Sequence, residues 1–176
     1  MAYKIIDVEG IGEVYGKKLV DAGINTVDEL LEACCKPAGR KALAEKTEIS
    51  PKLILTWTNH ADLMRINGIG PQFSELLEAA GVDTVKELKH RKAENLQPKL
   101  EEINVEKNLV NRVPSLKEVE KMIDQAGELP AKMEYEIIQK LNHSIINKVR
   151  MPSHSSWNQH QRNLAKSFAR FLIFYK

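Results

Sequence analysis

Two short runs hold the residue types from which an anion site can be built: Gly10-Ile11-Gly12 and Gly68-Ile69-Gly70. In each, two glycines flank one apolar residue and a helix-forming segment follows. The chain can therefore reverse tightly, with positive φ available, and no side chain keeps another molecule off the backbone. A helix starting directly after such a turn points unpaired amides outward, and the positive end of its dipole favours a phosphate there. Pro71 follows the second turn, where proline suits the first helical position. Lys17 and Lys18 follow the first turn, and Arg65 stands on the approach to the second. Lys89, His90, Arg91 and Lys92 form the densest basic run. The plainer alternative is that the glycines only join packed helices and the cations lie on solvated faces.

Other chemistry finds little footing. The histidines, His60, His90, His143, His154 and His160, have no Cys, Asp or Glu partners at a recognised metal spacing. Asp62, Asp83 and Glu87 can be drawn as a metal cluster, although carboxylates on helix surfaces are the commoner case. Gly10-x-Gly12-x-x-x-Gly16 is spaced wrongly for a dinucleotide fingerprint and follows no strand. Nucleophile-elbow and phosphate-loop patterns are absent. The adjacent Cys34 and Cys35 suit reduced, partly buried apolar residues rather than a disulfide or zinc site. The expectation is a protein that is not an enzyme and has no cofactor and no metal.

The elements that position the turns are written twice. Val8 to Leu30 returns as Ile66 to Leu88 at a constant offset of 58 residues, with the Gly-Ile-Gly turn, Leu19, Ala22, Gly23, Thr26, Val27, Glu29 and Leu30 matched identically. Thr26 to Glu29, Thr84 to Glu87 and Ser115 to Glu118 are capping boxes, each marking a helix start. Ser50-Pro51 marks another. Leu30, Leu31, Leu43, Ile54, Leu55, Leu63, Leu76, Leu77, Leu100, Leu109, Val119 and Ile123 recur at helical spacing as core faces. No alternating run argues for a sheet. Beyond the matched stretch, Pro37 to Trp57 is expected to correspond to Gln97 to Val110 in shortened form.

These residues resemble a tandem helix-hairpin-helix domain, similar to a bacterial and archaeal family of small proteins of unknown function. More distantly they resemble the paired hairpins of Holliday-junction-binding and repair proteins and the carboxyl-terminal domain of the RNA polymerase alpha subunit. The resemblance covers about residues 3 to 130. It implies an all-α fold of duplicated helix-hairpin-helix (SAM-like) units with a C-terminal helical extension. It also implies amides that grip duplex DNA phosphates without reading sequence. Carried over, the gripping positions are Gly68, Ile69 and Gly70, assisted by Gly10, Ile11 and Gly12. Arg65, Lys17 and Lys18 would supply charge, and Lys89, Arg91 and Lys92 a secondary patch. Where such hairpins usually follow the glycines with a lysine, an arginine or a small hydroxyl, this chain has Glu13 and Gln72.

With 43% hydrophobic residues, the 176-residue chain can bury a core. The boundaries expected are residues 1–61 and 62–130 for the two units and 131–176 for a basic extension. No run approaches the roughly 18 apolar residues that cross a membrane, and no secretory signal is evident, so a cytoplasmic location is expected. Residues 1–131 hold 18 Lys and Arg against 22 Asp and Glu, a net of −4. Residues 132–176 hold 8 against 2, a net of +6. An acidic body is a poor general binder of polyanions, because non-specific DNA affinity comes largely from Lys and Arg contacts. The partner expected from the glycine turns and the local basic patches is nonetheless DNA through its phosphates, with a protein partner, bound by an adaptor of the same fold, as the competing reading that the acidic body favours. The tail reads as a basic amphipathic arm with Trp157, Phe168 and Phe171, suited to nucleic acid, an acidic surface or a membrane interface, or else to docking on the body.

Overall fold

The computed structural model describes residues 3–135, and over these the chain is all-α, with one antiparallel bridge between Lys4 and Thr26. Expectations for residues 136–176, including the arm and its three histidines, lie outside the described residues. A 3-10 turn at Ile5–Asp7 leads to α1 (Glu13–Asp21), α2 (Val27–Cys34), α3 (Pro37–Thr47) and α4 (Pro51–Leu63). Then follow α5 (Pro71–Ala79), α6 (Val85–Leu88), α7 (Ala93–Lys107) and α8 (Leu116–Glu128).

The repeated sequence folds the same way twice, with matching bonds at the turns and helix ends. Gly16 N–H donates to Gly12 O at 2.8 Å, and Ser74 N–H to Gly70 O at 2.9 Å. The first helix of each pair ends on a glycine at positive φ, Gly23 or Gly81. The next amide then bonds back five residues, Ile24 to Leu19 O at 2.8 Å and Val82 to Leu77 O at 2.9 Å, which satisfies carbonyls a helix end would leave open. Thr26 and Thr84 start the following helices, their hydroxyls accepting from Glu29 N–H and Glu87 N–H. In both boxes the glutamate also accepts from the amide before the threonine, Glu29 from Asn25 N–H and Glu87 from Asp83 N–H, and Glu29 accepts from Thr26 N–H as well.

Past the matched stretch the alignment expected from sequence is corrected. α3 and α4 answer to α7 and α8, so residues 97–110 are not a shortened copy of residues 37–57. The turn at Gly10 lies on Trp57 of α4 and the turn at Gly68 on Met122 of α8. Lys46 of α3 caps Ala22 O at 2.9 Å, and Lys99 of α7 caps Ala80 O at 2.7 Å. Pro98 sits inside α7 and does not break it, so the helix begins at Ala93, ahead of the stretch expected to match α3.

Two apolar clusters result. One joins Ile5, Leu19, Leu30, Leu31, Ile54 and Trp57; the other joins Leu63, Leu76, Val82, Leu88, Leu100 and Val119. α4 serves both, Ala61 in the first and Leu63 in the second. Both fall within one compact unit, Met1–Glu136. Of the core positions expected, Leu55, Leu109 and Ile123 are only half-buried.

Candidate nucleic-acid interface

Gly10 and Gly68 have φ of 83° and 94°, values that side chains strain to reach, so the glycines are required by the turn itself. Ile11 and Ile69 are each 2% exposed and point inward. Their amides are also spent inside the turns, on Val8 O at 3.0 Å and Ile66 O at 3.1 Å. The isoleucines therefore anchor the turns and present nothing to a ligand. What faces outward is the first turn of the helix behind each: α1 from Glu13 and α5 from Pro71. Neither start is capped by a side chain, in contrast to the threonine-capped α2 and α6. Pro71 removes one amide from the second set.

The surroundings of the two turns differ. A methyl placed on Gly12 would meet nothing within 4 Å. One on Gly70 would meet Tyr3 Oη at 3.3 Å. Beside the second turn lies a cleft of about 410 Å³ lined by Asp7 and Glu9 together with Gly68, Gly70, Pro71, Gln72 and Phe73. The same turn is clamped from α8: Asn67 N–H donates to Gln125 Oε1 at 3.0 Å and Gln125 Nε2 to Asn67 O at 3.4 Å. The resemblance placed the second turn first, with the first assisting. In space the first turn is the more open.

The expected cations divide into two groups. Lys17, Lys89 and Lys92 are exposed and Lys18 half-buried. Arg65 and Arg91 instead hold the fold. Arg65 pairs with Asp62 at 2.7 Å and donates twice to Pro130 O at 3.0 Å. Arg91 Nη2 donates to Gly81 O at 2.7 Å. Asp62, 1% exposed, also accepts from Val85 N–H at 3.0 Å. The three carboxylates imagined as a metal cluster thus gather at the start of α6, where Asp62 and Glu87 serve backbone amides. Among the described residues, no three side chains of His, Cys, Asp or Glu are placed to hold a metal.

One feature the sequence did not announce is the segment after α8. Arg40, 4% exposed, donates to Cys34 O, Cys35 O and, at 2.8 Å, Glu134 O. Glu134 N–H donates to Cys35 O at 2.9 Å, and Tyr135 Oη donates to Asn59 Oδ1 at 3.1 Å. The Arg40 guanidinium also lies 5.9 Å from the Tyr135 ring centre. Burial, reinforced by Glu87, Asp83 and Asp62, holds the Tyr135 phenol well above its usual range. No signal in the sequence pointed to it, because nothing in the spacing around Arg40 marks it as buried.

Among the described residues no helix is long and apolar enough to cross a membrane. No curated protein and no solved structure matches the chain. One family model does, over residues 9–129, from the first glycine turn to the end of α8, and it is described as a domain of unknown function, DUF4332. The match spans most of the chain and both copies of the turn, so the protein belongs to that family.

Proposed function

We propose that this is a tandem helix-hairpin-helix protein that binds duplex DNA without reading its sequence, through backbone amides at the glycine turns. The observation that carries the reading is the twice-built helix start: a positive-φ glycine, a buried isoleucine, and then α1 or α5 with no side chain over its first amides. Such an end takes a phosphate without a base contact, which suits binding to any sequence. The open start at Gly12 is the principal contact and the start at Gly70 the assisting one. Lys17 and Lys18 supply charge beside the first, with Lys89 and Lys92 as a second patch, while Arg65 and Arg91 hold the scaffold.

Gly12→Leu tests this cleanly. Its φ of −73° is open to any residue and no atom lies within 4 Å of the new Cβ, so the fold tolerates the change while a side chain covers the amides. Duplex affinity at low salt is expected to fall about tenfold or more, and wild-type affinity to fall steeply as salt rises. Unchanged affinity in a folded Gly12→Leu protein overturns the hairpin mechanism. A second reading, a protein adaptor, is favoured by the acid-lined cleft at the second turn and the net charge of −4 over residues 1–131. It predicts no duplex binding by the body and a partner affinity that salt barely alters.

A further inference from the structure

We infer that Pro130–Tyr135 is a strap that masks two arginines, so that docking of the strap and binding of a polyanion compete. The inference rests on the DNA-binding reading above and adds a regulation to it.

The strap is pinned at both ends by guanidinium groups. Pro130 O takes Nη1 and Nη2 of Arg65, each at 3.0 Å. Four residues on, Glu134 O takes Arg40 Nη2 at 2.8 Å, and the Tyr135 ring lies over the same guanidinium. Between the pins Ala131 and Lys132 are exposed, and Met133 is half-buried against the first cluster. The segment is thus held by backbone and side-chain hydrogen bonds and by the side chains of Met133 and Tyr135 at the edge of the first cluster, rather than by a core of its own. Segments of this kind open locally at far less cost than global unfolding.

Release uncovers guanidinium donors now spent on backbone carbonyls. Arg65 keeps Asp62 on Nη1, while Nη2 loses Pro130 O three residues before Gly68, where the second turn begins. Arg40 loses its bond to Glu134 O and the aromatic cover, while its bonds to the carbonyls of Cys34 and Cys35 lie outside the strap. Both released groups are the fork-shaped donors that suit phosphate oxygens. Because linkage is reciprocal, a polyanion that uses them opens the strap, and a docked strap weakens the polyanion.

The test compares full-length chains, so that residues 136–176 contribute equally to each. Duplex affinity at fixed low salt is measured for wild type, Met133→Ala with Tyr135→Ala, the milder Tyr135→Phe, and the double variant combined with Arg65→Gln. In parallel, the tryptic fragment ending at Lys132 is followed by mass spectrometry with and without duplex. The strap predicts affinity raised roughly fivefold to tenfold in the double variant, less in Tyr135→Phe, and returned toward wild type by Arg65→Gln. It also predicts faster cleavage after Lys132 when duplex is present. Equal affinities for wild type and both strap variants, or cleavage indifferent to duplex, overturn the strap and leave the hairpin reading standing. The opposite pattern, a gain in the strap variants alongside Gly12→Leu without effect, sinks the hairpin reading and keeps the mask. If no chain binds duplex, both fall together.

Discussion

Single atoms decide several outcomes here. Asp62 holds Val85 N–H and Arg65 from a site 1% exposed, so Asp62→Ala leaves a buried amide and an arginine without their acceptor. The expected loss in chemical denaturation is about 3 kcal/mol; a loss under about 1 kcal/mol would show that water replaces the carboxylate. At Gly39 the backbone of α3 passes so close to Ala33 O of α2 that a Cβ cannot be placed, and Gly39→Ala must force the helices apart. Burial lifts the Cys34 thiol from the ordinary 9.0 to about 11, against the opposing charge of Arg40. The folded state thus holds a proton that the unfolded state gives up, so this stabilisation is complete below about pH 9 and lost as pH rises toward 11. Cys34→Ala should flatten that limb and leave the part due to Tyr135. The residues legible from sequence were those whose type is itself a geometric statement: glycine at positive φ, threonine at a helix start. Arg40, Asp62 and Arg65 were not, because an arginine or aspartate on a helix is ordinarily solvated and only the fold reveals its burial.

At the level of elements, the 58-residue offset and the threonine starts were enough to place α1, α2, α5 and α6. α2 and α6 depend on their caps, and replacing Thr26 or Thr84 by Ala should each cost about 1 kcal/mol, read as a shift in the denaturation midpoint. At α8 the cap belongs to Glu118, which bonds Ser115 N–H and both terminal nitrogens of Arg112 and is held well below the usual carboxylate range chiefly by that arginine. Such a carboxylate stabilises above its normal titration range and loses that effect as pH falls, so Glu118→Gln should show a shallower decline in acid than wild type. A parallel decline would mean that other carboxylates govern the acid limb. The partners of α3 and α4 were misplaced because α7 and α8 keep the packing roles of their counterparts without keeping their letters. Trp57 and Met122 fill the same place under a glycine turn, as do Lys46 and Lys99 at a helix end. A lysine that reaches a carbonyl, or any large apolar group that fills a space, satisfies the requirement, so identity drifts while geometry persists.

Across the whole molecule, the two clusters are joined by one helix rather than a linker. Ala61 and Leu63 of α4 are buried in different clusters, and His60 on the same helix bonds Glu78 of α5 at 2.9 Å. Neither half can lose its packing without disturbing the other, so thermal unfolding should be a single transition. With Trp157 replaced by Phe, Trp57 alone reports on the first cluster, and its midpoint should coincide with the loss of helical circular dichroism; separated midpoints would mean independent halves. α4 also gives the architecture a direction of growth. The helix that closes one turn-and-helix set is the helix that launches the next, so a further set would be grafted onto the end of α8 as the second is onto α4. Pro130 stands at that junction, where its ring cannot extend the helix and its carbonyl is claimed by Arg65. The proline thus closes α8, and its carbonyl is tied back to the turn that leads out of α4 into the second round.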